Sequence, residues 1–128
     1  MNNIQKQMSN FFLNACYAYC IAYMYGNTSD EYELTELVLN GLKKGYISND
    51  GYVSAPHLFA NMCMGKEGFY SDVIKKPYKQ EIFHQIVMFQ HGEKTHFVAM
   101  RDGKITFDSW PNSETVRLGK PVSVREFV

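Results

Sequence analysis

Residues 14 to 25, Asn-Ala-Cys-Tyr-Ala-Tyr-Cys-Ile-Ala-Tyr-Met-Tyr, are apolar on almost every side of a helix. A helix without a polar face has to be covered from two sides, so this segment is expected at the centre of the fold, not on its surface. Ala15, Ala18 and Ala22 form a small-residue stripe that lets it approach a sheet closely. Residues 30 to 44 carry Leu34, Leu37, Val38 and Leu42 at helical spacing, with Asp30 and Glu33 as a capping pair and Gly45 as a stop. A short third helix is expected over residues 54 to 64, with Pro56 in its first turn and Gly65 ending it. The second half reads as strands over residues 69 to 73, 82 to 90, 96 to 101, 104 to 107 and 114 to 118. Helices followed by antiparallel strands make an α+β domain. No linker, repeat or low-complexity tract divides the 128 residues, so a single domain spanning 1–128 is expected.

The chemistry-bearing residues fall on these elements in a particular order. Cys16 lies just inside the start of the apolar helix, His96 opens one strand, and Asp108 ends the next. A thiol is a useful nucleophile only as thiolate, which both a helix N-terminus and a neighbouring imidazolium favour. An imidazole in reach shuttles the proton, and a carboxylate on its far nitrogen fixes tautomer and orientation. Whether His96 meets Asp108 depends on the hairpin between them. A two-residue Asp102-Gly103 turn pairs Arg101 with Lys104 and sets His96 opposite Ser109, with Asp108 on the other face. A three-residue Arg101-Asp102-Gly103 loop with a Gly103 bulge pairs Met100 with Lys104 and sets His96 opposite Asp108. The second version is favoured, and it gathers Phe97, Ala99, Ile105 and Phe107 on the opposite face.

Ala15-Cys16-Tyr17 with Cys20-Ile21-Ala22 behind it, His96-Phe97-Val98 and Phe107-Asp108-Ser109-Trp110-Pro111 resemble the papain-like clan. Within it, the chain is most similar to the C39-like double-glycine peptidases and the small C39-like or DUF261-type proteins of bacteria, phages and plasmids. The resemblance runs from about Gln7 to Trp110. It implies a minimal papain-like (C39-like) domain, with N-terminal helices, a central Cys-bearing helix and a C-terminal antiparallel sheet. It also implies a Cys16, His96 and Asp108 triad. In this clan a Gln six residues before the nucleophile helps form the oxyanion hole, so the role falls to Asn10, or alternatively to Gln7. The sequence departs from the C39 pattern at Tyr17, where that pattern has Gly, and at Ser109, where it has Pro.

Thirteen basic and thirteen acidic residues cancel, and no basic face is clustered, so a nucleic-acid partner is not expected. The first ten residues are polar and no apolar run reaches membrane-spanning length, so a cytoplasmic protein without a membrane partner is expected. The three cysteines then read as reduced thiols. Cys16 and Cys20 with a histidine match none of the common zinc spacings, so no metal and no cofactor is expected. Cys20 and Cys63 read as core residues, and His57, His84 and His91 as surface or structural ones. Trp110 either shields the His96–Asp108 pair from water or packs in the core. The expected function is hydrolysis of an amide in a peptide or protein by a papain-like cysteine peptidase or amidase of bacterial or phage origin. Acyl transfer through the same thioester is a variant of that reading. The alternative is a catalytically inert papain-fold binding or inhibitor protein carried by a phage or mobile element.

Overall fold

The computed structural model describes residues 11–111 and 113–128. In chain order its elements are α1 (Cys16–Tyr25), α2 (Glu31–Lys43), α3 (Pro56–Met64), β1 (Val73–Pro77), β2 (His84–His91), β3 (Lys94–Arg101), β4 (Lys104–Phe107), α4 (Glu114–Leu118) and β5 (Lys120–Phe127). The second and third helices form where their end signals stand. Asp30 caps α2 by accepting the Glu33 N–H, Pro56 opens α3, and Gly65 ends α3 in the left-handed conformation at φ 65°.

The strands form one antiparallel sheet in the order β1-β5-β2-β3-β4. The architecture is α+β, with α1 at its centre. Ala15, Ala18, Cys20, Ile21 and Ala22 are fully buried, and they meet α2 and α3 on one side and the sheet on the other. That face of the sheet supplies Ile86, Phe97, Phe107 and Phe127. Each fully buried large side chain here, such as Ile21 or Phe59, contributes on the order of 2 kcal/mol relative to an exposed one. The opposite face carries Val87, Phe89, Val98 and Met100 beneath Val116 of α4.

Three sequence expectations are corrected. Residues 114 to 118 are not a strand but the short helix α4: Ser113 accepts the Val116 N–H and Glu114 sits in the first turn, so capping outweighs the β-branched content. The strand that does close the sheet is β5, which was not expected because Pro121, Ser123 and Arg125 interrupt its apolar pattern. It lies between β1 and β2, where ladders on both sides override weak propensity. The first strand begins at Val73 instead of ending there.

The hairpin is also different. Arg101 pairs with Lys104 across a two-residue turn in which Asp102 (φ 52°) and Gly103 (φ 77°) are both left-handed. Such a turn matches the strand twist, and Asp-Gly supplies it. The expected three-residue loop is therefore absent. The bulge lies elsewhere: Met100 faces Ile105 while Ala99 faces Phe107, which leaves Thr106 as the extra residue, its hydroxyl on the Ala99 carbonyl at 3.3 Å. One extra residue exchanges the faces of everything beyond it. Phe107 thus joins Phe97 and Ala99 as expected, whereas Ile105 falls on the other face, 42% exposed.

Candidate active site

Two aromatic stacks set α1 against the β3–β4 hairpin. Tyr17 lies on Phe97 with centroids 4.5 Å apart and rings inclined by 24°, and Tyr23 lies on Phe107 at 4.8 Å and 14°. Each stack has a candidate site residue as its chain neighbour: Cys16 precedes Tyr17, His96 precedes Phe97, and Asp108 follows Phe107. Offset stacks of this kind fix both distance and azimuth, and each is worth about 1 kcal/mol beyond its buried area. The approach to the helix is pinned as well. Asn14 Nδ2 donates to the Asp50 carbonyl at 3.0 Å. Gly51, at φ 94°, comes so close to the Phe11 carbonyl that a β-carbon there would stand 2.2 Å from its oxygen.

Cys16 is the first residue of α1 and is buried. His96 and Asp108 meet directly, with His96 Nε2 and Asp108 Oδ1 2.6 Å apart and side chains only 9% and 11% exposed. The same Asp108 oxygen accepts the Trp110 N–H at 2.9 Å, so the carboxylate is held by its own chain two residues on. Burial by itself would disfavour the imidazolium. The hydrogen bond to Asp108 and the nearby Cys16, with the negative charge of each, outweigh it and raise the His96 pKa to about 9. With Nε2 engaged by Asp108, Nδ1 is the ring nitrogen left for the thiol. The structure therefore brings together Cys16, His96 and Asp108, although the two-residue turn by itself would have parted the last two. The Thr106 bulge and the end of β4 at Phe107 free Asp108 from strict alternation.

Asn10 and Gln7 lie outside the described residues. Trp110 neither packs in the core nor is enclosed: it is 53% exposed, and its backbone serves Asp108. Cys20 is fully buried and burial pushes its thiol well above the ordinary range, while Cys63 is pushed up to about 12 by the same cause. His84 and His91 are exposed and His57 is half-buried. Among the described residues no group of three or more His, Cys, Asp and Glu side chains is placed to hold a metal ion, and no helix is long and apolar enough to cross a membrane.

Sequence reasoning missed the setting of Tyr17 and missed Arg125 altogether. Burial holds the Tyr17 phenol protonated, and its hydroxyl is enclosed without a hydrogen-bond partner. Arg125 of β5 reaches the same region, its guanidinium 5.0 Å from the centroid of the Phe97 ring. The apolar stretch around Tyr17 announced burial but not its stacking partner, and Arg125 was invisible because β5 was.

The family described as "Protein of unknown function, DUF261" matches residues 1–128, and the chain belongs to it. No curated protein and no solved structure matches.

Proposed function

We propose that this DUF261 member is a papain-like thiol hydrolase of the C39-like type, acting on an amide in a peptide or protein substrate. The observation that carries this reading is the buried His96–Asp108 pair beside a cysteine at the first position of a helix. The raised His96 pKa keeps the imidazole protonated at neutral pH, ready to give its proton to a departing nitrogen.

In the proposed reaction the Cys16 sulfur attacks the carbonyl carbon and the π electron pair moves to oxygen. His96 then gives its proton to the departing amine nitrogen as the C–N bond breaks, leaving a thioester. Water, losing a proton to His96, attacks that thioester and releases the acid and the thiol. Asp108 holds the ring for both transfers. The Cys16 amide with Asn10, or alternatively Gln7, would donate to the oxyanion. No metal or cofactor enters the scheme, and a cytoplasmic setting keeps the thiol reduced.

The test is labelling by an epoxide or activated-carbonyl probe for papain-type thiols, followed by peptide mapping. Rapid modification at Cys16 alone, absent in Cys16→Ala, is the expected result. Equal and slow modification of Cys16, Cys20 and Cys63 would overturn the reading. A second reading has its own support: Cys16 is only 8% exposed, and Tyr17 fills the place beside it with a stacked ring. On that reading the fold is an inert binding or inhibitor protein of a phage or mobile element, and Cys16 resists the probe while the fold survives Cys16→Ala unchanged.

A further inference from the structure

Trp110, the chain's one tryptophan, is exposed, and so is Phe12. Both border a pocket of about 430 Å³ that lies between α1, the start of α2 and the segment after β4. Tyr19 and Phe107 complete its aromatic lining. The charged groups of the lining are Asp108 and Glu31, and no lysine, arginine or histidine borders the pocket. Asp108 is already committed, since its Oδ1 meets His96 and the Trp110 N–H. Glu31 is not. Its neighbours serve the helix start, Asp30 capping α2 and Glu33 accepting from the Thr28 hydroxyl, whereas no cation pairs with Glu31 among the described residues. The Tyr19 hydroxyl is satisfied by Thr35 Oγ1 at 3.0 Å. Burial raises the Tyr19 phenol and the Glu31 charge adds to that, so the carboxylate stands within electrostatic reach of this aromatic wall.

Aromatic rings carry negative faces, so a pocket lined by four of them attracts a cation, and tryptophan does so best. Two carboxylates with no cation in the lining disfavour an anionic ligand, and an apolar ligand leaves Glu31 unpaired. A lysine side chain matches both features of the pocket: its four-carbon stem covers apolar surface while its ammonium reaches a carboxylate near solvent. The volume lies within the range of pockets that take small ligands or single side chains. Because Asp108 belongs both to this pocket and to the candidate triad, an occupant lies beside the place where a peptide substrate would be held.

We propose that this pocket receives the side chain of a lysine in a peptide partner, with Glu31 pairing with the ammonium and Phe12, Phe107 and Trp110 covering the stem. For the hydrolase this names the substrate class, a peptide or protein with a lysine close to the scissile amide, and that part rests on the hydrolase reading. The binding itself needs no reactive thiol.

Tryptophan fluorescence tests it directly, because Trp110 is the sole source of that signal. Capped alanine pentapeptides whose central residue is lysine, Nε-acetyl-lysine or norleucine are titrated into the full chain, natural and Cys16→Ala, and choline is titrated separately. The lysine peptide is expected to bind about tenfold tighter than either neutral peptide, the combined effect of a cation–π contact and an exposed ion pair. Glu31→Gln should lower that ratio about threefold while leaving the norleucine peptide unaffected. Equal binding of the lysine and Nε-acetyl-lysine peptides, tighter binding of the norleucine peptide, no binding by the lysine peptide, or an unchanged ratio in Glu31→Gln would each overturn the proposal. Tighter binding of choline than of the lysine peptide would overturn the assignment to a peptide side chain. The comparison of peptides on the natural chain remains decisive if Glu31→Gln fails to fold. A lysine preference in a chain whose Cys16 resists the thiol probe sinks the hydrolase reading and leaves the site standing, whereas a labelled Cys16 without lysine preference sinks this proposal alone.

Discussion

Two charged side chains packed along α1 are held in opposite ways. At its start, His96 and Asp108 are joined by a 2.6 Å contact in a nearly closed corner, a backbone N–H holds the same carboxylate oxygen, and the imidazole is biased toward its charged form. Arg125, by contrast, rests its guanidinium on the Phe97 ring and meets only neutral acceptors. The first corner has its charges satisfied from within and is pre-organised; the arginine has an aromatic face and neutral groups in place of an ionic partner. One helix and one sheet support both: Tyr17 stacks on the same Phe97 ring at the start of α1, and Tyr23 stacks on Phe107, the neighbour of Asp108, near its end. Enclosure strengthens electrostatic interactions, so the paired corner is the one suited to chemistry.

The comparison is broken most severely at Cys16. If the first corner is catalytic, Cys16→Ala should lower probe labelling and any amidase activity by roughly a thousandfold or more, as expected when a covalent nucleophile is removed. Arg125→Gln, which only removes the guanidinium from the Phe97 ring next to His96, should lower both far less, by under about tenfold on the same probe.

Next in size is the loss of the carboxylate partner. Asp108→Ala should destabilise the fold by about 2 kcal/mol in urea titration, since a buried charged donor loses its acceptor. Arg125→Gln, whose present acceptors are neutral and mostly distant, should cost less than about 1 kcal/mol. A larger cost for Arg125→Gln than for Asp108→Ala would reverse the comparison.

The pH dependence sharpens it further. Folded His96 holds its proton up to about pH 9, above its ordinary value of 6.5, so its contribution to stability is complete below about pH 6.5 and is lost as the pH rises through about 9. The urea midpoint of the natural chain should fall over that window, and the fall should be absent in His96→Gln. A flat profile in the natural chain would mean that the pair does not hold the imidazolium.

Asp108→Asn is the gentler probe. The amide still accepts from the ring but stabilises the imidazolium less, so the fold should persist while Cys16 labelling slows by about tenfold and the pH-dependent fall shrinks. The smallest expected effect is at Ser113, whose side chain caps the helix linking the Asp108 segment to the Arg125 strand. Ser113→Ala should cost about 1 kcal/mol in thermal unfolding and leave Cys16 labelling unchanged.

Much of the helical half could be read residue by residue. An apolar segment with no polar side had to be central, and Asp30, Pro56, Gly45 and Gly65 mark helix ends through local backbone chemistry that needs no tertiary partner. The order of Cys16, His96 and Asp108 along the chain was likewise visible, because nucleophile, proton carrier and orienting carboxylate are recognised by residue type. Their meeting was not. It rests on a β-bulge at Thr106, on where β4 stops, and on the stacking of Tyr17 and Tyr23 against the hairpin, all of which are set by packing between segments about eighty residues apart. The place of β5 was also decided by the tertiary structure. A strand interrupted by Pro121, Ser123 and Arg125 has little propensity of its own, and only ladders to β1 and β2 make it part of the sheet. With it came Arg125, laid over the Phe97 ring. Composition and local spacing therefore determined which groups the protein has to work with, while the non-local pairing of strands decided which of them are closed off together and which are left facing solvent, since register and burial are properties of the assembled sheet and not of any one segment.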